Sequence, residues 1–358
     1  MNIYSNRLEK VRNKYSSHGI DGIYITNITN VRYITGFTGS AGSVLITNDK
    51  AYFITDGRYT EQSRQQIQNC EILITQKTHI DCIFTNKLIP SNTKMGIESN
   101  HITLNLFTKL SKQFNDTEWV ETTNIVELIA AVKDSDEIES LKAAIEITDV
   151  VFDQIIPDLK VGAKEIEISA KISYLFKMNG AEGDSYEPII ASGHLGALPH
   201  ARPSDKAFES GDFVVMDFGA LYNGYHADMT RTILIGPPTD RHKEIYQAVL
   251  ESQLAGIASA RAGVPACDVD TACRDIITNY GYGDKFIHST GHGIGLEVHT
   301  HPRVSQLNKE PLLENYVVTI EPGIYLEGWG GVRIEDDCWI QKDKAVPLNR
   351  STKELLSL

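Results

Sequence analysis

Short runs of β-branched and aromatic residues, each closed by turn residues, punctuate the start of the chain: Gly22-Ile-Tyr-Ile-Thr26, Ser43-Val-Leu-Ile-Thr47 and Ala51-Tyr-Phe-Ile-Thr55. Such runs predict strands. Residues 58–68 are polar with sparse apolar positions, which predicts a surface helix. The alternation points to a small α/β layered domain. A seam follows. Asp134-Ser-Asp-Glu137 has the pattern of a capping box, Asp134 as N-cap and Glu137 reaching back to it. Beyond it Ile138, Leu141, Ile145 and Phe152 recur at helical spacing and predict one apolar stripe. The boundary is placed at residues 128–134, giving domains 1–130 and 131–358.

The second part carries a weak internal repeat. Gly162-Ala-Lys-Glu-Ile-Glu-Ile168 is matched by Gly263-Val-Pro-Ala-Cys-Asp-Val269, Asn179-Gly180 by Tyr280-Gly281, and Val215-Met-Asp-Phe-Gly219 by Thr319-Ile-Glu-Pro-Gly323. A period of roughly 100 residues is far too long for a solenoid. It predicts two similar α+β halves, each a helix pair followed by a strand hairpin. Asp217 and Glu321 occupy equivalent places, and a pseudo-twofold would bring them together.

Composition narrows the function. The 358 residues are 41% hydrophobic and carry a net charge of −13, which opposes binding to nucleic acid or an anionic membrane. No apolar run approaches the roughly 18–20 residues that span a bilayer. The first residues lack the apolar stretch of a signal peptide. Five scattered cysteines without a C-x-x-C pair read as reduced thiols in a cytoplasmic protein.

The candidate chemistry sits on strands. Asp217 ends the apolar run Phe213-Val-Val-Met216, where a lone carboxylate is expensive unless paired or bound to a metal. Asn223-Gly224 is a strong hairpin-turn signal. A two-residue loop there pairs 222 with 225, 219 with 228 and 217 with 230, so Asp217 and Asp228 become diagonal neighbours on one face. Aspartates that close repel unless a cation lies between them; the alternative is an Asp228–Arg231 salt-bridge network. Glu321 and Glu335 again sit on strand-like runs, around the turn Gly328-Trp-Gly-Gly331. Between the hairpins lies His288-Ser-Thr-Gly-His-Gly-Ile-Gly295, whose glycines permit close backbone approach and aim His292. Four carboxylates and one imidazole suit two Mn²⁺, Co²⁺, Fe²⁺ or Zn²⁺ ions better than one structural zinc. Tyr186 and Tyr225 are assigned to core packing, and His18, His79, His101 and His242 to the surface.

The set Asp217, Asp228, His292, Glu321 and Glu335 resembles the dinuclear metal site of the pita-bread metallopeptidases, peptidase family M24. The flanking strings Asp217-Phe-Gly, Asp228-Met-Thr-Arg231, Gly291-His-Gly-Ile-Gly295, Glu321-Pro-Gly and Val332-Arg-Ile-Glu-Asp336 are similar to the Xaa-Pro branch, prolidase and aminopeptidase P. Tyr33-Ile-Thr-Gly-Phe-Thr-Gly-Ser40 and Thr55-Asp-Gly-Arg-Tyr59 resemble the creatinase-type N-terminal domain. The resemblance implies an α+β fold: a small α/β creatinase-like N-terminal domain, then a pseudo-twofold pita-bread catalytic domain. It implies that Asp217, Asp228, His292, Glu321 and Glu335 hold two divalent metal ions, Mn²⁺ first and Co²⁺ or Zn²⁺ as alternatives. It makes Glu321 the proton shuttle, and His200 and His299 the groups that stabilise the oxyanion. His288 and Arg333 become substrate-binding groups. The implied substrate is a proline-containing di- or oligopeptide and the implied assembly a homodimer. One departure is Val298-His-Thr-His301, where the family usually has Val-His-Glu: Thr300 replaces a carboxylate and His301 adds an imidazole. A metal-free binding or adaptor protein on the same fold would have lost the ligand set, which is complete here.

Overall fold

The apolar runs at the start of the chain form the strands Gly22–Ile25, Ser43–Thr47 and Ala51–Asp56 in the computed structural model, which describes residues 2–358. They lie side by side in a six-stranded sheet, in the order Glu71–Thr75, Ala51–Asp56, Ser43–Thr47, Gly22–Ile25, Lys94–Glu98 and Glu118–Thr122. Gly22–Ile25 pairs antiparallel with one neighbour and parallel with the other. Helices alternate with the later strands, so one face of the sheet buries Tyr24, Leu45, Ile54, Ile97 and Leu110 in a shared core. The polar stretch after residue 57 becomes a short 3₁₀ turn, Gly57–Tyr59, and the helix Thr60–Gln66. These elements belong to a unit that ends at Ala130; a second unit runs from Ala131 to Leu358.

The second unit opens on the helix Ser135–Ile155. Its capping box forms as the sequence predicts, Asp134 accepting from the Glu137 backbone and Glu137 from that of Asp134. Ile138, Leu141, Ile145 and Phe152 are all buried. This helix packs on Glu165–Met178, and Asp240–Ser259 packs on Ala266–Asn279. Each pair precedes a set of strands, so the two α+β halves are present. In the first half Ile189–Ser192, Phe213–Phe218 and Met229–Leu234 form an antiparallel sheet with Phe213–Phe218 central. In the second, Gly291–Gly293, Thr300–Val304, Val317–Ile320, Asp336–Ile340 and Ala345–Pro347 form another.

Register positions the chemistry. Asn223 and Gly224 have φ of 49° and 74°, the two positive values a type I′ turn demands. Tyr222 pairs with Tyr225 and Asp217 with Thr230, the register the sequence predicts. In the second half Ile320 pairs with Asp336 and Gly323 with Arg333. The two pairings share one offset although they belong to separate sheets, so Glu321 and Glu335 lie at matching positions in the gap between them. No described helix is long and apolar enough to cross a membrane, and all five cysteines are free.

Candidate active site

The strand ends converge on a cavity of about 860 Å³ lined by Asp217, Asp228, His292, Glu321 and Glu335, and also by His200, His288, His299 and Arg333. All nine site residues singled out in the sequence therefore share one space. Donor atoms of Asp228, His292 and Glu335 lie within 4.8 Å of one another. His292 Nε2 is 3.6 Å from both Asp228 Oδ2 and Glu321 Oε1.

Local backbone explains this aim. A Cβ on Gly291 would sit 1.9 Å from the Thr319 carbonyl oxygen, and one on Gly293 2.2 Å from that of His301. Only glycine lets the His292 strand approach its neighbours so closely. His292 Nδ1 lies 3.0 Å from the Gly293 carbonyl, to which it donates. That bond fixes the tautomer and leaves Nε2 as a lone-pair donor facing the carboxylates.

Partners hold the acids. Thr230 Oγ1 donates to Glu335 at 2.6 Å, and the backbone N–H of Asp228 donates to Asp337 at 3.0 Å. Arg333, buried, donates to Asp217 at 2.5 Å, to Thr230 Oγ1 at 3.0 Å and to the Tyr325 hydroxyl at 2.8 Å. Tyr325 in turn lies 2.8 Å from His288 Nε2, while His288 Nδ1 donates to the Ser289 carbonyl. The Asp228–Arg231 alternative is not formed. Arg231 pairs with Asp336 at 2.7 Å and donates to the backbone carbonyls of Thr230, Glu335 and Ser351.

Tyr186 corrects the sequence reading. Assigned to the core, it instead lines the cavity, its hydroxyl within hydrogen-bond reach of both Asp217 and Asp228, one of which takes its single proton. It lies between the strands Gly183–Asp184 and Ile189–Ser192, where no periodicity marks it. Tyr225 does pack in the core. His18 and His101 are exposed, but His79 is half-buried against Ser43 and His242 is buried beside Trp329. Thr239 and His242 form a capping box at the start of the helix Asp240–Ser259.

Electrostatics favour a cation. Burial, then the charges of Asp217 and Asp337, hold the Asp228 carboxyl far above the usual carboxylate range. Burial and Asp228, Glu321 and Asp217 do the same for Glu335. Glu321 is pushed up to about 8 by burial, partly offset by Arg333 and reinforced by Asp217. Burial, with His299 alongside, lowers His292 to about 4, and burial with Arg333 lowers His288 to about 4. Acids this close, with Arg333 the basic side chain bonded among them, fit a site completed by divalent cations. Thr300 lines the cavity without adding charge, and His301 turns to Glu310, 3.4 Å away.

Comparison with known proteins agrees with this geometry. Residues 139–342 match the model of metallopeptidase family M24, and residues 7–132 that of the creatinase/prolidase N-terminal domain. An Xaa-Pro dipeptidase of Pyrococcus furiosus is 38% identical over 98% of this chain and 99% of its own. The structure of an Xaa-Pro dipeptidase from Bacillus anthracis superposes with a TM-score of 0.96 at 41% identity, covering 99% of this chain and 100% of that one. The X-Pro aminopeptidase from Thermotoga maritima gives 0.89 at 40% identity, over 95% and 98%.

Proposed function

The chain belongs to metallopeptidase family M24, and on that premise we propose that it is a metal-dependent peptidase hydrolysing the Xaa-Pro bond of dipeptides or short peptides. The observation that carries the reading is the buried cluster Asp228, His292 and Glu335, with Glu321 and Asp217 beside it, opening into one cavity. Bound there, two divalent ions would acidify water and polarise the scissile carbonyl. Mn²⁺ is the first candidate and Co²⁺ or Zn²⁺ the alternatives, since an Asp/Glu/His set binds all three.

The chain's own residues supply the rest. The bond before proline is a tertiary amide without an N–H, so its nitrogen must gain a proton as it leaves. Glu321, held at about 8 in the metal-free protein, suits taking a proton from water and passing it on. Arg333 holds Asp217 by a charge-assisted bond and so orients a ligand. His200 and His299 line the cavity as exposed side chains able to donate to the developing oxyanion. His288, held neutral by burial and the nearby Arg333 charge, is bonded to the Tyr325 hydroxyl and, with Arg333, shapes the substrate wall. We place the enzyme in the cytoplasm as a homodimer, on family resemblance.

The test is hydrolysis of Ala-Pro and Ala-Pro-Ala by chelated protein, then with Mn²⁺, Co²⁺ or Zn²⁺ added. Chelation should abolish turnover and a divalent ion restore it; full activity in protein shown metal-free by elemental analysis would refute the reading. Sedimentation at assay concentration should give twice the 39.8 kDa chain mass.

A further inference from the structure

Glu165, a fully buried acid, stands away from the proposed metal ligands, at the start of the helix Glu165–Met178. It has no ion pair among the described residues. A carboxylate out of water needs hydrogen bonds in place of solvent, and four reach it. Oε1 accepts from the Ser192 N–H and from the Ser192 hydroxyl, both at 2.7 Å. Oε2 accepts from the Ser204 N–H at 3.0 Å and from its hydroxyl at 2.6 Å. The helix start reciprocates. The N–H groups of Glu165 and Ile166, which have no acceptor within their own helix, donate to the carbonyls of Lys206 and Ser204 at 3.1 and 3.0 Å. Lys206 Nζ reinforces the near end, donating to Ser192 Oγ at 3.0 Å. One carboxylate thus ties together both ends of the segment 192–204.

That segment carries His200. The imidazole is exposed toward the cavity and makes no hydrogen bond among the described residues, so its place depends on the backbone that bears it. Inside the loop Arg202 pairs with Glu187, and the 3₁₀ turn Gly193–Ala197 packs on the strand Gly330–Arg333. Arg333 Nη1 reaches the Pro199 carbonyl at 3.4 Å. The Gly196 carbonyl lies where a Cβ on Gly331 would come within 2.1 Å.

The other half of the fold repeats the device. Asp270, fully buried on the helix Ala266–Asn279, accepts at Oδ1 from the Thr290 N–H at 3.1 Å and its hydroxyl at 2.9 Å. Thr290 stands two residues before His292, and its carbonyl accepts the Glu321 N–H at 2.8 Å. In each half a buried acid on the second helix takes the N–H and hydroxyl of a Ser or Thr at the root of a histidine-bearing segment, two such residues for Glu165 and one for Asp270, which also pairs with Arg274.

We propose that Glu165 is the positioning residue of His200, setting through Ser192 and Ser204 where the imidazole stands in the cavity. The inference rests on His200 acting on the substrate, as read above. It is tested by a double-mutant cycle of Glu165→Gln with His200→Ala in the metal-loaded enzyme, with metal content and melting temperature measured alongside. Glutamine keeps one acceptor oxygen, but its amide cannot accept the N–H of the second serine. In the His200 background Glu165→Gln should lower kcat by about 10–100-fold, the scale of an ångström-level misplacement. In the His200→Ala background the same change should cost less than about 3-fold, since residues acting as a unit are not additive. Equal losses in both backgrounds, or none in either, would overturn the proposal while leaving His200 its role. A His200→Ala enzyme with full kcat would instead remove the reading on which the proposal stands, and the proposal with it. If Glu165→Gln does not fold, Ser204→Ala, which removes one of the four donors, goes through the same cycle with the same criterion.

Discussion

Glu321 sits between holding a cation and moving a proton, and a single substitution separates the two. Glu321→Gln keeps the shape and one oxygen donor but removes the base. Turnover should fall by roughly 10²–10⁴, the usual contribution of general acid–base catalysis, and the loss should persist at saturating metal. Recovery of near wild-type kcat on raising the metal concentration would show that the residue only holds ions. The same side chain makes the metal-free protein pH-sensitive. Its folded-state pKa of about 8 exceeds its ordinary 4.5, so the stability it contributes is present at low pH and lost as pH rises through 8. His288 and His292, lowered to about 4, work in the opposite sense, but only below about pH 6.5, the ordinary histidine value. Above that they are neutral whether folded or unfolded. The melting temperature of chelated protein should therefore fall between pH 6.5 and 8 in calorimetry. An unchanged melting temperature across that window would mean that the acids are already ionised without metal.

The ligands meet because of two backbone devices, and both were legible in the sequence to different degrees. Asn223-Gly224 specified a register, and the register placed Asp217 opposite Thr230. Gly224→Ala would force a Cβ at φ 74°, at a cost of about 1–2 kcal/mol, read as a lower urea midpoint with unchanged slope. Gly291→Ala is the harsher test, because its Cβ would meet the Thr319 carbonyl at 1.9 Å. It should destabilise by about 1–3 kcal/mol, as overpacking does, and weaken metal binding in titration calorimetry by displacing His292. Unaltered affinity would show that the strand has slack. What the pattern could not show is long-range pairing by residues without periodicity. Tyr186 lies between strands, and only the fold brings it to Asp217 and Asp228. Glu165 opens an ordinary amphipathic helix, and nothing in its own neighbourhood announces Ser192 and Ser204 as partners. Arg231 was read with its near neighbour Asp228, yet it pairs with Asp336, more than a hundred residues on. Local sequence carries turns, caps and glycine approaches well, because their physics is local. It carries poorly the polar contacts that depend on which strands become neighbours.

At the scale of the molecule, ions held by the proposed ligands would act as an electrostatic brace between the two halves of the repeat. Asp217 and Asp228 come from the first half, and His292, Glu321 and Glu335 from the second. Burial holds Asp228, Glu321 and Glu335 protonated in the metal-free protein, so cations would have to displace those protons to link the two sheets. Ions that bind the folded chain alone stabilise it by mass action, about 2.7 kcal/mol at a hundredfold excess over Kd. For a unit of this size that is a rise of roughly 5–10 °C in melting temperature. The gain should be local. Hydrogen exchange of chelated protein, compared before and after adding Mn²⁺, should slow in the strands Phe213–Phe218, Met229–Leu234, Val317–Ile320 and Asp336–Ile340, which carry or flank the ligands. The six-stranded sheet of the first unit contributes no ligand, and its strands should exchange at unchanged rates. Slowing spread evenly over both units would show that the ions act on the whole chain through general charge neutralisation. Slowing confined to the first half of the repeat would place the cation on Asp217 and Asp228 alone, and the second half would then need another explanation for Glu321 and Glu335.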